Sequence, residues 1–214
     1  MTDEPVAGVA DWLAPTRVAL VIVDMQVDFA SPDGAIGRAG ADLSAVPDAL
    51  VVAEHLAKAA RLAGTLVVFV GLRTRPETDS ATWRERIRRL GGDPNRDMAF
   101  CREDEPGAAF VGPRPEPGEI VIAKTRYSAF FDTDLDSALK SRGVDTLVVC
   151  GLTTESCVDC TVRDAFHLDY HVFIAADACA AYEADLHLGA LKSLGLNCAI
   201  LTSGRAVAAA WGAD

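Results

Sequence analysis

The segment CGLTTESCVDC, Cys150 to Cys160, holds three of the chain's six cysteines. Thiols gathered in this way admit three kinds of role. A cysteine on a helix is most often a small core hydrophobe. Cys157-x-x-Cys160 has the spacing of a redox dithiol or of half a zinc site. Cys157 alone is a candidate nucleophile, attacking a carbonyl as its thiolate.

Two further residues bear on that choice. Asp24 ends the run VALVIV inside VIVDMQVDF, and Lys124 ends the run IVIA inside IVIAKTRYSAFF. Each has a plain reading by itself, a loop cap or a solvated ammonium. A phosphatase-type Asp nucleophile calls for a second Asp two residues later, where Gln26 stands. With Cys157, however, the two form a set sufficient for acyl transfer. The carboxylate accepts the thiol proton and returns it to a leaving amine. A neighbouring ammonium and the N–H groups of a helix start favour the thiolate, and N–H groups in the preceding turn would hold an oxyanion. Histidine fits poorly. His167 lies ten residues beyond Cys157, roughly 15 Å along a helix; His171 opens a strand and His55 belongs to an earlier helix, so only His187 is placed to approach. Zinc would need a second C-x-x-C or an H-x-x-x-H partner; no second C-x-x-C exists, and neither Cys157 nor Cys160 pairs with an H-x-x-x-H unit. A dithiol at Cys157 and Cys160 stands as the rival reading, with Cys150, Cys160, Cys179 and Cys198 otherwise read as core.

The elements that would position these groups follow from hydrophobic pattern. Short, almost continuously apolar runs at Val18–Val23, Leu66–Val70, Glu119–Ala123, Thr146–Cys150, Val172–Ala176 and Cys198–Leu201 read as strands buried on both faces of a parallel sheet. Helices are expected at Val46–Ala63, Thr133–Arg142, Glu155–Leu168 and Ala184–Leu194, with Asp132 as an N-cap and with Gly143 and Gly195 as stops. The alternation predicts an open α/β sheet with right-handed crossovers. Ligands of such sheets collect beyond the carboxyl ends of the strands, where Asp24, Lys124 and the loop leading to Cys157 all fall. Residues 71–118 break the rhythm with six prolines, WRERIRRL and REDEP. So long an excursion reads as a lid, a specificity loop or a subunit contact, and most of its arginines read as a solvated helix face.

Composition narrows the classes. The 214 residues form one expected domain, 1–214, with a core at about 17–205. A net charge of −11 argues against nucleic acid or an anionic membrane as partner. The acidic opening MTDEPVAGVADWLAP lacks the basic and apolar regions of a signal peptide, and VALVIV is far too short to span a bilayer. A cytoplasmic location, where thiols stay reduced, is therefore expected.

With these residues in place the chain resembles the isochorismatase-like cysteine hydrolases, a family that includes nicotinamidases and the carbamoylsarcosine, ureidoacrylate and biuret amidohydrolases. The likeness runs from Arg17 to about Arg205 through VIVDMQVDF, AKTRYSAFFDTDLDSAL, VVCGLTTESCVDCTVRDAFHLDY and AADAC, in that order. It implies a Rossmann-like three-layer sandwich, a six-stranded, mainly parallel sheet with helices on both faces. It implies a catalytic triad of Asp24, Lys124 and Cys157, a cis peptide at Leu152–Thr153, and an oxyanion hole formed by the N–H groups of Thr153 and Cys157. It implies a homodimer or homotetramer. VGLRTRPETD lacks the Asp-x-His metal motif of nicotinamidases, and Cys157 is absent from isochorismatases proper. KTRYSAFFDTDLDSALKSRG resembles the ureidoacrylate type, whereas DACAAYEADLHLGALK resembles the biuret type. The expected activity is hydrolysis of a C–N bond in a small amide or ureido compound through a thioester, with no cofactor or metal. Phe29 and Tyr127 would wall the pocket, and Arg73, Arg75 or Arg126 would meet a substrate carboxylate. The alternatives are a thiol-redox or sensing protein and a non-catalytic binding member of the fold.

Overall fold

A computed structural model describes residues 12–213. Six strands form one sheet in the order β3-β2-β1-β4-β5-β6: β1 (Val18–Val23), β2 (Leu66–Leu72), β3 (Ile120–Lys124), β4 (Thr146–Leu152), β5 (His171–Ala180) and β6 (Ile200–Thr202). Every pairing is parallel, so the expected mainly parallel sheet is wholly so. All residues of β1 and β4 are buried, as strands covered on both faces must be. Two helix groups supply that cover: α1 (Val46–Ala63) packs with α6 (Gly204–Ala210), and α4 (Asp159–His167) packs with α5 (Ala184–Asn197). In α1 the buried residues Val46, Ala49, Ala53, Leu56, Ala57 and Ala60 recur at three- and four-residue spacing, and left-handed Gly64 ends it. No helix among the described residues is long and apolar enough to cross a membrane.

The chain lays β1, β2 and β3 outward in one direction, then returns to place β4 on the other side of β1. That reversal opens a crevice beyond the carboxyl ends of β1 and β4. Register sets the level of the crevice floor: Val23 lies opposite Val70 and Gly151, and Leu72 opposite Lys124.

Several local expectations need correction. The helix α3 (Leu135–Lys140) starts after Asp134, not Asp132; Asp132 is left-handed, and the Thr133 hydroxyl accepts from the Leu135 N–H at 3.3 Å. Gly195 does not stop α5, which runs on to Asn197. A Cβ at that position would lie 3.0 Å from the Leu201 side chain, so this glycine allows close helix–strand packing instead. The expected helix from Glu155 divides into a π-type turn, Thr154–Val158, followed by α4. Cys150 and Cys179 are core, but Cys160 and Cys198 are partly exposed.

The 71–118 excursion carries short helices and ion pairs of its own. Its helix α2 (Ala81–Arg89) buries no residue, and Arg88 and Arg89 pair with Glu85 on its solvated face. The segment is tied together by Asp79, whose side chain is 2% exposed and accepts from Arg102 at 2.7 and 2.9 Å.

Gly151 shows how tightly β1 and β4 meet. Its φ is 134°, and an added Cβ would stand 2.0 Å from the Val23 carbonyl oxygen. Gly151→Ala is expected to destabilise the fold by about 3 kcal/mol or more, lowering Tm by roughly 6–12 °C. Thermal unfolding checks this, and an unchanged Tm would contradict the packing described.

Candidate active site

Three strand ends deliver the site. Asp24 follows β1 with φ 49°, a left-handed conformation that an L-residue seldom adopts but Asp tolerates better than most. Lys124 is the last residue of β3, and Cys157 sits in the π-type turn after β4. Lys124 Nζ lies 2.6 Å from Asp24 Oδ2, with both side chains fully buried, and 3.3 Å from Cys157 Sγ. The sequence-predicted Asp24, Lys124 and Cys157 thus meet at one point beneath the crevice.

Neighbouring groups fix this arrangement. Asp24 Oδ1 accepts the Leu72 N–H at 3.0 Å, and Lys124 Nζ donates to the Arg126 carbonyl at 3.0 Å. Gln26, where a second aspartate is missing, laces the strand ends together. Its Oε1 accepts from the Leu72 N–H at 2.7 Å, while its Nε2 donates to the carbonyls of Leu72 at 3.0 Å and Ala108 at 2.8 Å. Buried Asp28 accepts from the N–H groups of Ala35 and Cys101, which anchors the far end of the excursion.

The charges set the proton positions. Burial opposes the Lys124 ammonium, but Asp24 and then Cys157 outweigh it and hold its pKa above the ordinary range. Burial pushes the Cys157 thiol well up; Asp24 pushes the same way, and Lys124 offsets only part. Both influences, burial and Asp24, favour the thiol over the thiolate, beside a cation that stabilises negative charge once the proton leaves.

Above this centre lies an open cleft with about 190 Å³ of room, walled mostly by apolar and aromatic side chains as small-molecule sites are. Phe29 and Tyr127 both line it, as does Arg126. Arg73 does not. Its guanidinium turns to the carbonyls of Leu72 and Ala108 and lies over the Phe110 ring, 5.6 Å from the centroid. Arg75 pairs with Glu103. Thr153 lines the cleft, the Leu152–Thr153 peptide is cis, and the Thr153 N–H has no acceptor among the described residues.

Sequence reasoning missed Trp83, Phe100, Glu155 and Tyr182, which also line the cleft. Trp83 stands 5.3 Å from the Tyr127 ring, and Phe100 stacks on Phe29 at 6.2 Å. A lone tryptophan in the arginine-rich α2 was the available signal for the first.

The other candidate groups are engaged elsewhere. His187 Nδ1 meets the Thr154 hydroxyl at 2.8 Å, and burial lowers its pKa. Cys160 and Cys157 are free thiols, and burial followed by Asp159 and Asp164 pushes the Cys160 thiol up, unlike the low-pKa thiols of redox pairs. Among the described residues no group of three or more His, Cys, Asp or Glu could hold a metal ion.

Comparisons with known proteins bear on the family and the fold. The isochorismatase domain model matches residues 18–206. The ureidoacrylate amidohydrolase of Methylobacterium radiotolerans is 35% identical over 201 residues, covering 89% of this chain and 76% of that one. A crystal structure of a cysteine hydrolase from Pseudomonas syringae pv. phaseolicola superposes with TM-score 0.80 at 28% identity, covering 92% of this chain and 93% of that one. N-carbamoylsarcosine amidase from Thermoplasma acidophilum superposes with TM-score 0.68 at 26% identity, covering 88% and 96% respectively.

The opposed influences on Cys157 predict opposite shifts in two variants. Asp24→Asn removes the anion that raises the thiol pKa, so iodoacetamide should alkylate Cys157 faster at neutral pH than in the parent. Lys124→Met removes the cation and should slow alkylation, each change being about tenfold per pKa unit moved. Mass-resolved alkylation rates check both signs.

Proposed function

The chain belongs to the isochorismatase family, and from that premise we propose that it is a cysteine-dependent amidohydrolase acting on a small amide or ureido compound. The observation that carries this reading is Lys124 Nζ at 2.6 Å from Asp24 Oδ2 and 3.3 Å from Cys157 Sγ, beneath an open cleft. The ureidoacrylate amidohydrolase and N-carbamoylsarcosine amidase relatives support the substrate class.

In the proposed cycle Cys157 Sγ bonds to the substrate carbonyl carbon as its proton passes to Asp24. The carbonyl electron pair moves onto oxygen, where the N–H groups of Thr153 and Cys157 hold the oxyanion. The C–N bond then breaks, and Asp24 hands the proton to the departing nitrogen, releasing ammonia from a primary amide or ureido group. Water adds to the thioester while Asp24 takes its proton. The C–S bond breaks, the proton returns to sulfur, and an acid or carbamate leaves. Lys124 remains an ammonium throughout, facing one anion before the proton transfer and another after it. Phe29 and Tyr127 enclose the substrate, and Arg126, the arginine at the cleft, meets a substrate carboxylate. Six free thiols agree with a reducing, cytoplasmic setting. The family likeness suggests a homodimer or homotetramer.

Cys157→Ser and Asp24→Asn should each lower ammonia release by about 10³-fold or more, while Cys160→Ser retains most activity. The measurement is an ammonia assay over ureido acids, carbamoyl amino acids, biuret, maleamate and nicotinamide, paired with intact-mass detection of acylated Cys157. Equal damage from Cys160→Ser in a folded protein would favour the dithiol reading instead.

A further inference from the structure

Among the described residues, three buried side-chain oxygens lack a hydrogen-bond partner: Thr65 Oγ1, Asp24 Oδ2 and Glu155 Oε2. Thr65 precedes β2, at the sheet edge away from the cleft. Asp24 Oδ2 faces the Lys124 ammonium at 2.6 Å. Glu155 differs, because it lines the cleft two residues before Cys157 and no cation pairs with it. Its other oxygen, Oε1, accepts the Thr153 hydroxyl proton at 2.8 Å, which fixes the carboxylate in place.

Two neighbouring groups bond elsewhere than to Oε2. The Tyr182 hydroxyl donates to the Phe29 carbonyl at 2.8 Å, and His187 Nδ1 is shared with the Thr154 hydroxyl at 2.8 Å. A carboxylate oxygen withdrawn from water without a donor is unfavourable by more than a typical hydrogen bond is worth. In a cleft otherwise walled by Phe29, Trp83, Phe100 and Tyr127, the missing donor is one that arrives with the ligand.

We propose that Glu155 is a specificity-determining residue that accepts a hydrogen bond from a substrate N–H on the non-leaving side of the scissile carbonyl. This rests on the hydrolase reading above, which assigns the leaving nitrogen to Asp24. The donor facing Glu155 must then belong to the other flank of the carbonyl. A ureido group, R–NH–CO–NH2, carries such a donor; a simple amide carries carbon there. Glu155 thereby selects ureido compounds over carboxamides of the same shape.

The test uses an isosteric pair, 3-ureidopropionate and glutaramate, in which CH2 replaces the internal N–H. Calorimetric titration of both into the Cys157→Ser protein should show the ureido acid binding about 10- to 100-fold more tightly. In Cys157→Ser/Glu155→Ala that ratio should fall to within about threefold of unity, and in Cys157→Ser/Glu155→Gln, which preserves shape and one acceptor, to an intermediate value. Circular dichroism establishes that each variant is folded. A Cys157→Ser protein that binds the two alike, or neither, overturns the proposal, as does a ratio unchanged by both Glu155 substitutions. The hydrolase reading is judged separately by ammonia release from the unsubstituted enzyme. Selective binding without ammonia release would sink that reading and reduce Glu155 to a ureido-binding residue with no scissile group to select, whereas equal turnover with no binding preference would sink this proposal alone.

Discussion

An ammonium and a carboxylate, both fully withdrawn from water, face each other at 2.6 Å where β1 and β3 end. Burying such ions costs on the order of several kcal/mol each, and only close pairing with further hydrogen bonds offsets it. The structure supplies that compensation from rigid backbone. The Leu72 N–H meets Asp24, and the Arg126 carbonyl meets Lys124. The sulfur of Cys157 completes the ammonium's surroundings at 3.3 Å. A pair like this is weak support for stability, and its value lies in chemistry: moving one proton from sulfur to carboxylate leaves the number of charges unchanged around a fixed cation.

Sheet topology explains why three distant segments can meet. The reversal between β1 and β4 sets Asp24 and the Cys157 turn on either side of one crevice. β3 lies two strands away, and the long lysine side chain closes that distance. Gln26 and Asp28 bind the same strand ends to the excursion. The excursion in turn carries Trp83 and Phe100 to the cleft. The floor is therefore built by the sheet and much of one wall by the excursion.

Strands, order of motifs and the three central residues were legible in the sequence because each depends on local pattern: apolar runs, a reactive group at their ends, and a thiol at a helix start. Tertiary contacts decided the rest. Arg73 follows β2 as the sequence suggests, but the Ala108 carbonyl and the Phe110 ring draw it from the cleft. Gly195 has the look of a stop signal, yet Leu201 needs the space its missing side chain leaves. Glu155 gave a faint signal, a charge between strand and nucleophile, whose meaning depended on which neighbours had already found partners. The influences that favour a thiolate at Cys157, a helix start and a lysine, are visible in sequence, whereas the burial and the nearby carboxylate that oppose them are not.

The account places a sulfur beside a carboxylate and an ammonium and predicts that it is neutral at rest. An ultraviolet titration following thiolate absorbance, taken as the difference between the parent protein and Cys157→Ser, measures that state directly. It should show no thiolate from this residue at neutral pH, with the signal rising only above the ordinary thiol pKa of about 8.5. A full thiolate signal already present at neutral pH would contradict it.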